Sequence, residues 1–135
     1  MPRDDARLED ARAWLARAEL DLRAADLELS TPEAGLWGDV AFHAQQAAEK
    51  ALKALLAMHD KPFRKTHSIE EIGRACTAID PSLGEFVDAA APLTEFAWKF
   101  RYPGDVGDPT REEAEHAVAV ALRLVLAVKA ILAAA

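Results

Sequence analysis

Arg101 opens a loop rich in glycine and proline, with Pro103, Gly104, Gly107 and Pro109 behind it and Phe96, Trp98 and Phe100 just ahead. A guanidinium held there can grip a phosphate through paired hydrogen bonds, and the adjoining Tyr102 can stack on a base. The plainer alternatives are an Arg101 pair with Asp105 or Asp108 that pins the loop, and a Tyr102 packed at a helix end. A second constellation is Arg111-Glu112-Glu113-Ala114-Glu115-His116. There an imidazole could move a proton at an attacking ribose hydroxyl or a leaving oxygen while the arginine stabilises phosphate charge. Glu112, Glu113 and Glu115 suit a helix N-terminus and would repel RNA phosphate, which makes the match read as incidental.

Five cations, Lys50, Lys53, Lys61, Arg64 and Lys65, lie between Lys50 and His67 against one anion, Asp60, in a chain of net charge -7. Such a stretch faces something anionic, or is a solvated face paired with acidic neighbours. With 23 acidic against 16 basic residues, the field of the whole molecule repels nucleic acid, so any RNA or nucleotide binding rests on a local patch. Gln45, Gln46, Glu49, Lys50 and Lys53 form a polar strip open to solvent or to a ligand. His67 sits beside a helix cap and fixes the turn locally. His43 and His59 lack the spacing of a shared metal site and no Cys/His cluster exists, so neither a metal nor a cofactor is expected. Gly104 and Gly107 follow no strand and precede no Gly-Lys-Ser/Thr, which excludes the known phosphate-cradling loops.

Helices must position these groups. Leu8, Ala11, Leu15, Ala18, Leu22, Ala25 and Leu29 recur at three- and four-residue steps, predicting a first helix from about Asp5 to Ser30. Thr31-Pro32 and Gly35 break it, and Gly38-Asp39 can start the next. Ala41, Ala44, Ala48, Ala51, Leu55 and Met58 continue the spacing along a helix whose alanines let another helix approach closely. Trp37, between Gly35 and Gly38, is expected in a loop and at an interface; the other aromatics are expected mostly in the core. Ser68 and Glu71 form a capping box that opens a short helix ending near Ile79. Asp80-Pro81 starts a helix towards Phe100 with a kink at Pro92. Thr110 and Glu113 form a second capping box, before a last helix with Ala114, Val118, Ala121, Val125, Val128 and Leu132 on one stripe.

The expected fold class is all-α, an up-and-down helical bundle of about five helices forming a single domain over residues 1–135. That length buries a core without metal or disulfide support. The lone Cys76 suits a reducing compartment, and no apolar run reaches the roughly 18 uninterrupted residues of a membrane span. With no signal-like start, a cytoplasmic protein without membrane contact is expected.

Three motifs carry a family resemblance. Residues 45–56, QQAAEKALKALL, followed by a short loop and Thr66-His67-Ser68, then Phe100 to Asp105, FRYPGD, and the early helix through Trp14, Asp21 and Ala25, together resemble the HEPN (higher-eukaryote-and-prokaryote nucleotide-binding) domain. The resemblance implies a homodimer that works with a nucleotidyltransferase-like partner in toxin–antitoxin or regulatory pairs. Its dimer groove would bind nucleotide or RNA through Arg101 and Tyr102, with Lys50, Lys53, Arg64 and Lys65 contributing. In the catalytic branch the arginine is followed a few residues later by a histidine, and the pair cleaves RNA without metal. Here no histidine lies between Arg101 and Asp108, which argues against an enzyme. The competing readings are a metal-independent endoribonuclease using Arg101 or Arg111 with His116, and a purely structural helical scaffold.

Overall fold

The computed structural model describes residues 2–31, 34–100, 103 and 107–134, the side chains of Pro2, Arg3 and Ala34 excepted. Five α-helices are described: α1 (Pro2–Leu29), α2 (Trp37–Met58), α3 (Ile69–Ile79), α4 (Gly84–Ala90) and α5 (Arg111–Ala134). Short 3-10 segments, Ala34–Leu36, Pro81–Leu83 and Ala91–Ala97, join them, and no strand occurs among the described residues.

Helix α2 is the axis of the bundle, with α1 along one side, α5 along another, and α3 and the Ala91–Ala97 segment against its remaining surface. Small side chains make this possible. Ala41, Ala44, Ala47, Ala48, Ala51 and Ala54 are all fully buried, so neighbouring backbones approach without voids. The predicted stripes of α1 and α5 point inward, Ala11, Leu15, Ala18, Leu22 and Ala25 on the first, Ala114, Val118, Ala121, Val125, Val128 and Leu132 on the second. By length and composition alone α5 could cross a membrane, but Arg123 and Lys129 interrupt it and its apolar stripe is spent on the core.

Capping follows the sequence in part. Thr110 and Glu113 form the full reciprocal box, with Glu113 N–H donating to Thr110 Oγ1 at 3.1 Å and Thr110 N–H to Glu113 Oε1 at 3.0 Å. Ser68 Oγ accepts from Glu71 N–H at 3.2 Å, but the Glu71 carboxylate turns away to Arg64, so only half of that box closes. Asp80 accepts from Ser82 N–H at 3.0 Å and caps a 3-10 turn in place of a helix. At Ala91 and Pro92 the chain changes from α to 3-10 winding, since a proline cannot supply the N–H that continues an α-helix.

The start of α2 departs from the sequence expectation. Trp37 is not a loop residue; it is the first residue of α2, packed partly against the core, and its indole N–H is buried without a hydrogen-bond partner among the described residues. The C-terminus of α2 stops without glycine. Asp60 adopts the left-handed conformation (φ 51°), while Lys61 N–H reaches Leu56 O at 2.9 Å and Asp60 N–H reaches Ala57 O at 3.1 Å. These are the paired bonds of a Schellman cap, and the Asp60 side chain adds an ion pair to Arg7 of α1 at 3.1 Å.

Helices α3 and α4 meet at Gly73, where a β-carbon would drive into the two methyls and Cβ of Val87. Valine is stiff at χ1 and cannot swing aside. Gly73→Ala is therefore expected to lower stability by about 1–2 kcal/mol despite its better helix propensity, and Val87→Ala in the same chain to restore part of it, as read by urea denaturation.

Candidate functional site

The loop that carries Arg101 is held at its base. Arg101 and Tyr102 themselves lie outside the described residues, but Phe100 and Asp108 on either side both pack on the first turn of α2 at Gly38. A β-carbon at Gly38 would lie 3.2 Å from Phe100 Cβ and 3.8 Å from Asp108 Oδ1. Glycine lets Phe100 close on the helix at this range without the shift of a few tenths of an ångström that a β-carbon would demand. Phe100 has φ 68°, a left-handed conformation that is costly for an aromatic residue and turns the chain out of the preceding 3-10 segment. Its ring lies 5.9 Å from that of Phe96, and Lys99 Nζ sits 5.0 Å from its centroid. Trp98, expected in the core, is 54% exposed beside this base.

The basic residues of α2 are not gathered around that loop. Lys53, only 9% exposed, lies inside the bundle: its Nζ pairs with Glu49 Oε2 at 3.0 Å and stands 5.5 Å from the ring centroids of both Trp14 and Phe63. Those rings meet edge to face at 5.8 Å. Glu49 also accepts from Gln45 Nε2 at 3.1 Å and lies 2.8 Å from His67 Nδ1. Gln46 closes the group by donating to Gln45 Oε1 at 2.6 Å. The polar strip is thus a buried clamp that ties the loop after α2 to α1 and α2. Burial pushes the Glu49 carboxyl up, but the hydrogen bonds from His67, Lys53 and Gln45 and the charge of Lys53 outweigh it and hold the group below its ordinary value.

Lys50 is also engaged, with Asp21 Oδ2 at 2.7 Å, and Arg64 pairs with Glu71 at 2.9 Å on the surface. Lys65 is exposed and makes no pair among the described residues. Arg111 Nε pairs with Glu115 at 2.7 Å and its Nη2 lies 3.4 Å from Leu29 O, so it serves the contact between α5 and the end of α1. His116 is exposed one turn on. Five residues on an α-helix turn through about 140° beyond a full revolution, so Arg111 and His116 do not share a face. Cys76 is buried, donates to Leu52 O, and its thiol is pushed up to about 12 by burial, which makes it inert.

A third group, which spacing in the sequence did not disclose, forms where α1 and α2 meet. His43 Nδ1 lies 2.9 Å from Asp21 Oδ1, while its Nε2 faces Glu28 Oε1 and Asp39 Oδ2, each at 3.5 Å. Asp39 and His43 stand one turn apart on α2, a signal present in the sequence. Glu28 comes from another helix, and no spacing could have joined it to them. Burial, then the hydrogen bond that a protonated Glu28 donates to the Asp39 carboxylate and the negative charge of Asp39, push the Glu28 carboxyl up to about 7, with His43 pulling the other way.

An all-α bundle in which a long alanine-lined helix leads into a histidine-bearing loop, and a glycine- and proline-rich arginine loop closes on its start, defines a class. The sequence matches the HEPN domain over residues 11–131, and the chain belongs to that family. Its fold is similar to TT1696 from Thermus thermophilus, 33% identical, with a TM-score of 0.75 over 88% of this chain and 95% of that one. It is also similar to ST0689, an archaeal HEPN homologue, 27% identical, with a TM-score of 0.70 over 90% of this chain and 97% of that one. No curated protein matches the sequence.

Glu49→Gln leaves the Lys53 charge buried without its counter-charge and is expected to cost about 3 kcal/mol in urea denaturation. Because the Glu49 carboxyl is depressed in the fold, its contribution is complete above the ordinary value of 4.5 and fades as pH falls through the lower folded value. Glu28 runs the other way. Its contribution is complete below 4.5 and is lost as pH rises to about 7, so Glu28→Gln is expected to flatten the decline of Tm across that interval in chelator-treated protein.

Proposed function

We propose that this HEPN protein acts as a homodimeric module that binds nucleotide or RNA, working in the cytoplasm with a nucleotidyltransferase-like partner in a toxin–antitoxin-type or regulatory pair. The observation that carries ligand binding is the anchored loop. Phe100 and Asp108, on either side of the segment that carries Arg101 and Tyr102, are both held against Gly38. The exposed Trp98 adds an aromatic surface on which a base could stack. The cations of α2 do not extend this site, because Lys50 and Lys53 neutralise Asp21 and Glu49; Lys65 remains as a contributor from the loop after α2.

Dimerisation is supported by large aliphatic side chains left in solvent on two helices. Leu20 and Leu27 on α1 and Leu122 and Leu126 on α5 are exposed, on two helices joined across their contact by Lys129 and Glu19 at 3.2 Å. Four large aliphatic side chains in solvent suit a second copy of the chain. The nucleotidyltransferase-like partner comes from the family resemblance. The endoribonuclease reading would need His116 beside Arg101 or Arg111; Arg111 is paired with Glu115, and Arg101 lies outside the described residues.

Single-stranded RNA in chelator, followed by fluorescence polarisation with gel analysis of the same samples, tests this reading. The expected result is binding without cleavage, weakened roughly tenfold by Arg101→Ala through loss of a charge-assisted contact and unchanged by His116→Ala. Cleavage abolished by His116→Ala would establish the ribonuclease instead, and absence of RNA and nucleotide binding would leave the scaffold. Light scattering should give a dimer that Leu122→Glu with Leu126→Glu converts to a monomer.

A further inference from the structure

The junction of α1 and α2 has the arrangement of a metal centre. We propose that Glu28, Asp39 and His43 bind one divalent cation of the zinc class, with Asp21 as the residue that orients the histidine. The proposal is independent of RNA or nucleotide binding.

The distances decide between two readings of this group. If His43 merely bridged the carboxylates by hydrogen bonds, Nε2 should approach them to about 2.7–3.2 Å. It stands instead 3.5 Å from both Glu28 Oε1 and Asp39 Oδ2, and the three ligand atoms lie within 4.8 Å of one another. Ligands at about 2.0–2.2 Å from a tetrahedral ion are separated by roughly 3.3–3.6 Å, which is the spacing of His43 Nε2 from each carboxylate.

The ring is also set for coordination. Asp21 accepts from Nδ1 at 2.9 Å and is itself held by Lys50 at 2.7 Å, which directs Nε2 towards the two remaining carboxylates. A carboxylate behind a histidine is the usual way a protein fixes the tautomer and angle of a metal ligand. Independently, Glu28 Oε1 is shielded from solvent and has no hydrogen-bond partner, although it points at Nε2. A buried carboxylate oxygen left in this state is costly, and a cation supplies what it lacks.

One imidazole and two carboxylates suit zinc, and manganese less well; magnesium prefers an octahedral all-oxygen shell. Asp39 is half exposed, so an ion can enter from solvent and its fourth position is open to water. An ion here would clasp the last turn of α1 to the first turn of α2. Asp39 adjoins Gly38, so the clasp would also stiffen the surface on which the Arg101 loop closes.

Tag-free protein stripped with chelator and titrated calorimetrically with Zn2+ tests the proposal, with Mn2+ and Mg2+ alongside. The expected result is one Zn2+ per chain, Mn2+ weaker and Mg2+ undetected. Glu28→Gln and His43→Gln should each weaken Zn2+ at least tenfold, and Asp21→Asn, a positioning change, about tenfold. The pair His59→Gln with His116→Gln should bind as the parent does. Should the buried variants fail to fold, Asp39→Asn at the exposed edge carries the same expectation. Co2+ should give the intense visible bands of a tetrahedral site, lost in Asp39→Asn. No binding by the parent protein, or binding that persists undiminished in Asp39→Asn and His43→Gln, would overturn the proposal.

Discussion

A helix enclosed on nearly every side must find partners for its own polar side chains inside the protein, and α2 is such a helix. Gln45, Glu49 and Lys53 are buried on it, in a row one turn apart, and each meets another within the same row or from the loop that follows. An unpaired charge at such depth would cost several kcal/mol, so the clamp and the alanine packing stand or fall together. The alanines bring α1 and α5 close enough to exclude water, and the exclusion of water is what makes the paired charges necessary.

This constraint redistributes the charge seen along the chain. The basic character of residues 50–65 suggests an anionic ligand when counted in sequence, yet its helical members are spent internally, Lys50 on Asp21 and Lys53 on Glu49. What remains for a ligand is on loops, where side chains are not obliged to satisfy the core. The glycine at position 38 has a comparable logic. By allowing Phe100 and Asp108 to sit directly on the helix, it converts a glycine- and proline-rich connection into one whose two ends are fixed.

Periodic and capping signals were legible because they are local. The stripes of α1, α2 and α5 and the Thr110–Glu113 box depend on neighbours within a turn or two, and the structure has them where the spacing places them. Polar residues of α2 were misread for the opposite reason: whether Lys53 is solvated or buried depends on Trp14 and Phe63, distant in sequence. The group around His43 was invisible from spacing for the same cause, since Asp21 and Glu28 reach it from α1. Helix termination at Asp60 was hidden because the left-handed cap is occupied by aspartate instead of glycine.

Alanine stripes pack well but specify poorly, because small residues repeated every three or four positions fit one another in several registers. The polar contacts between α1 and α2 remove that ambiguity. Trp14, Asp21 and Glu28 are seven residues apart and so lie in one row along α1. In reverse order they meet Lys53, then Lys50 and His43, then His43 with Asp39 beside it. The rows run antiparallel and match at every step. A slide of one turn would keep alanine against alanine while stranding each of these charges from its partner, so the correct register is selected by the cost of the wrong ones. The same row that aligns the helices also assembles Asp21, Glu28, Asp39 and His43 at one point, and this is why a site can form there without any motif to announce it.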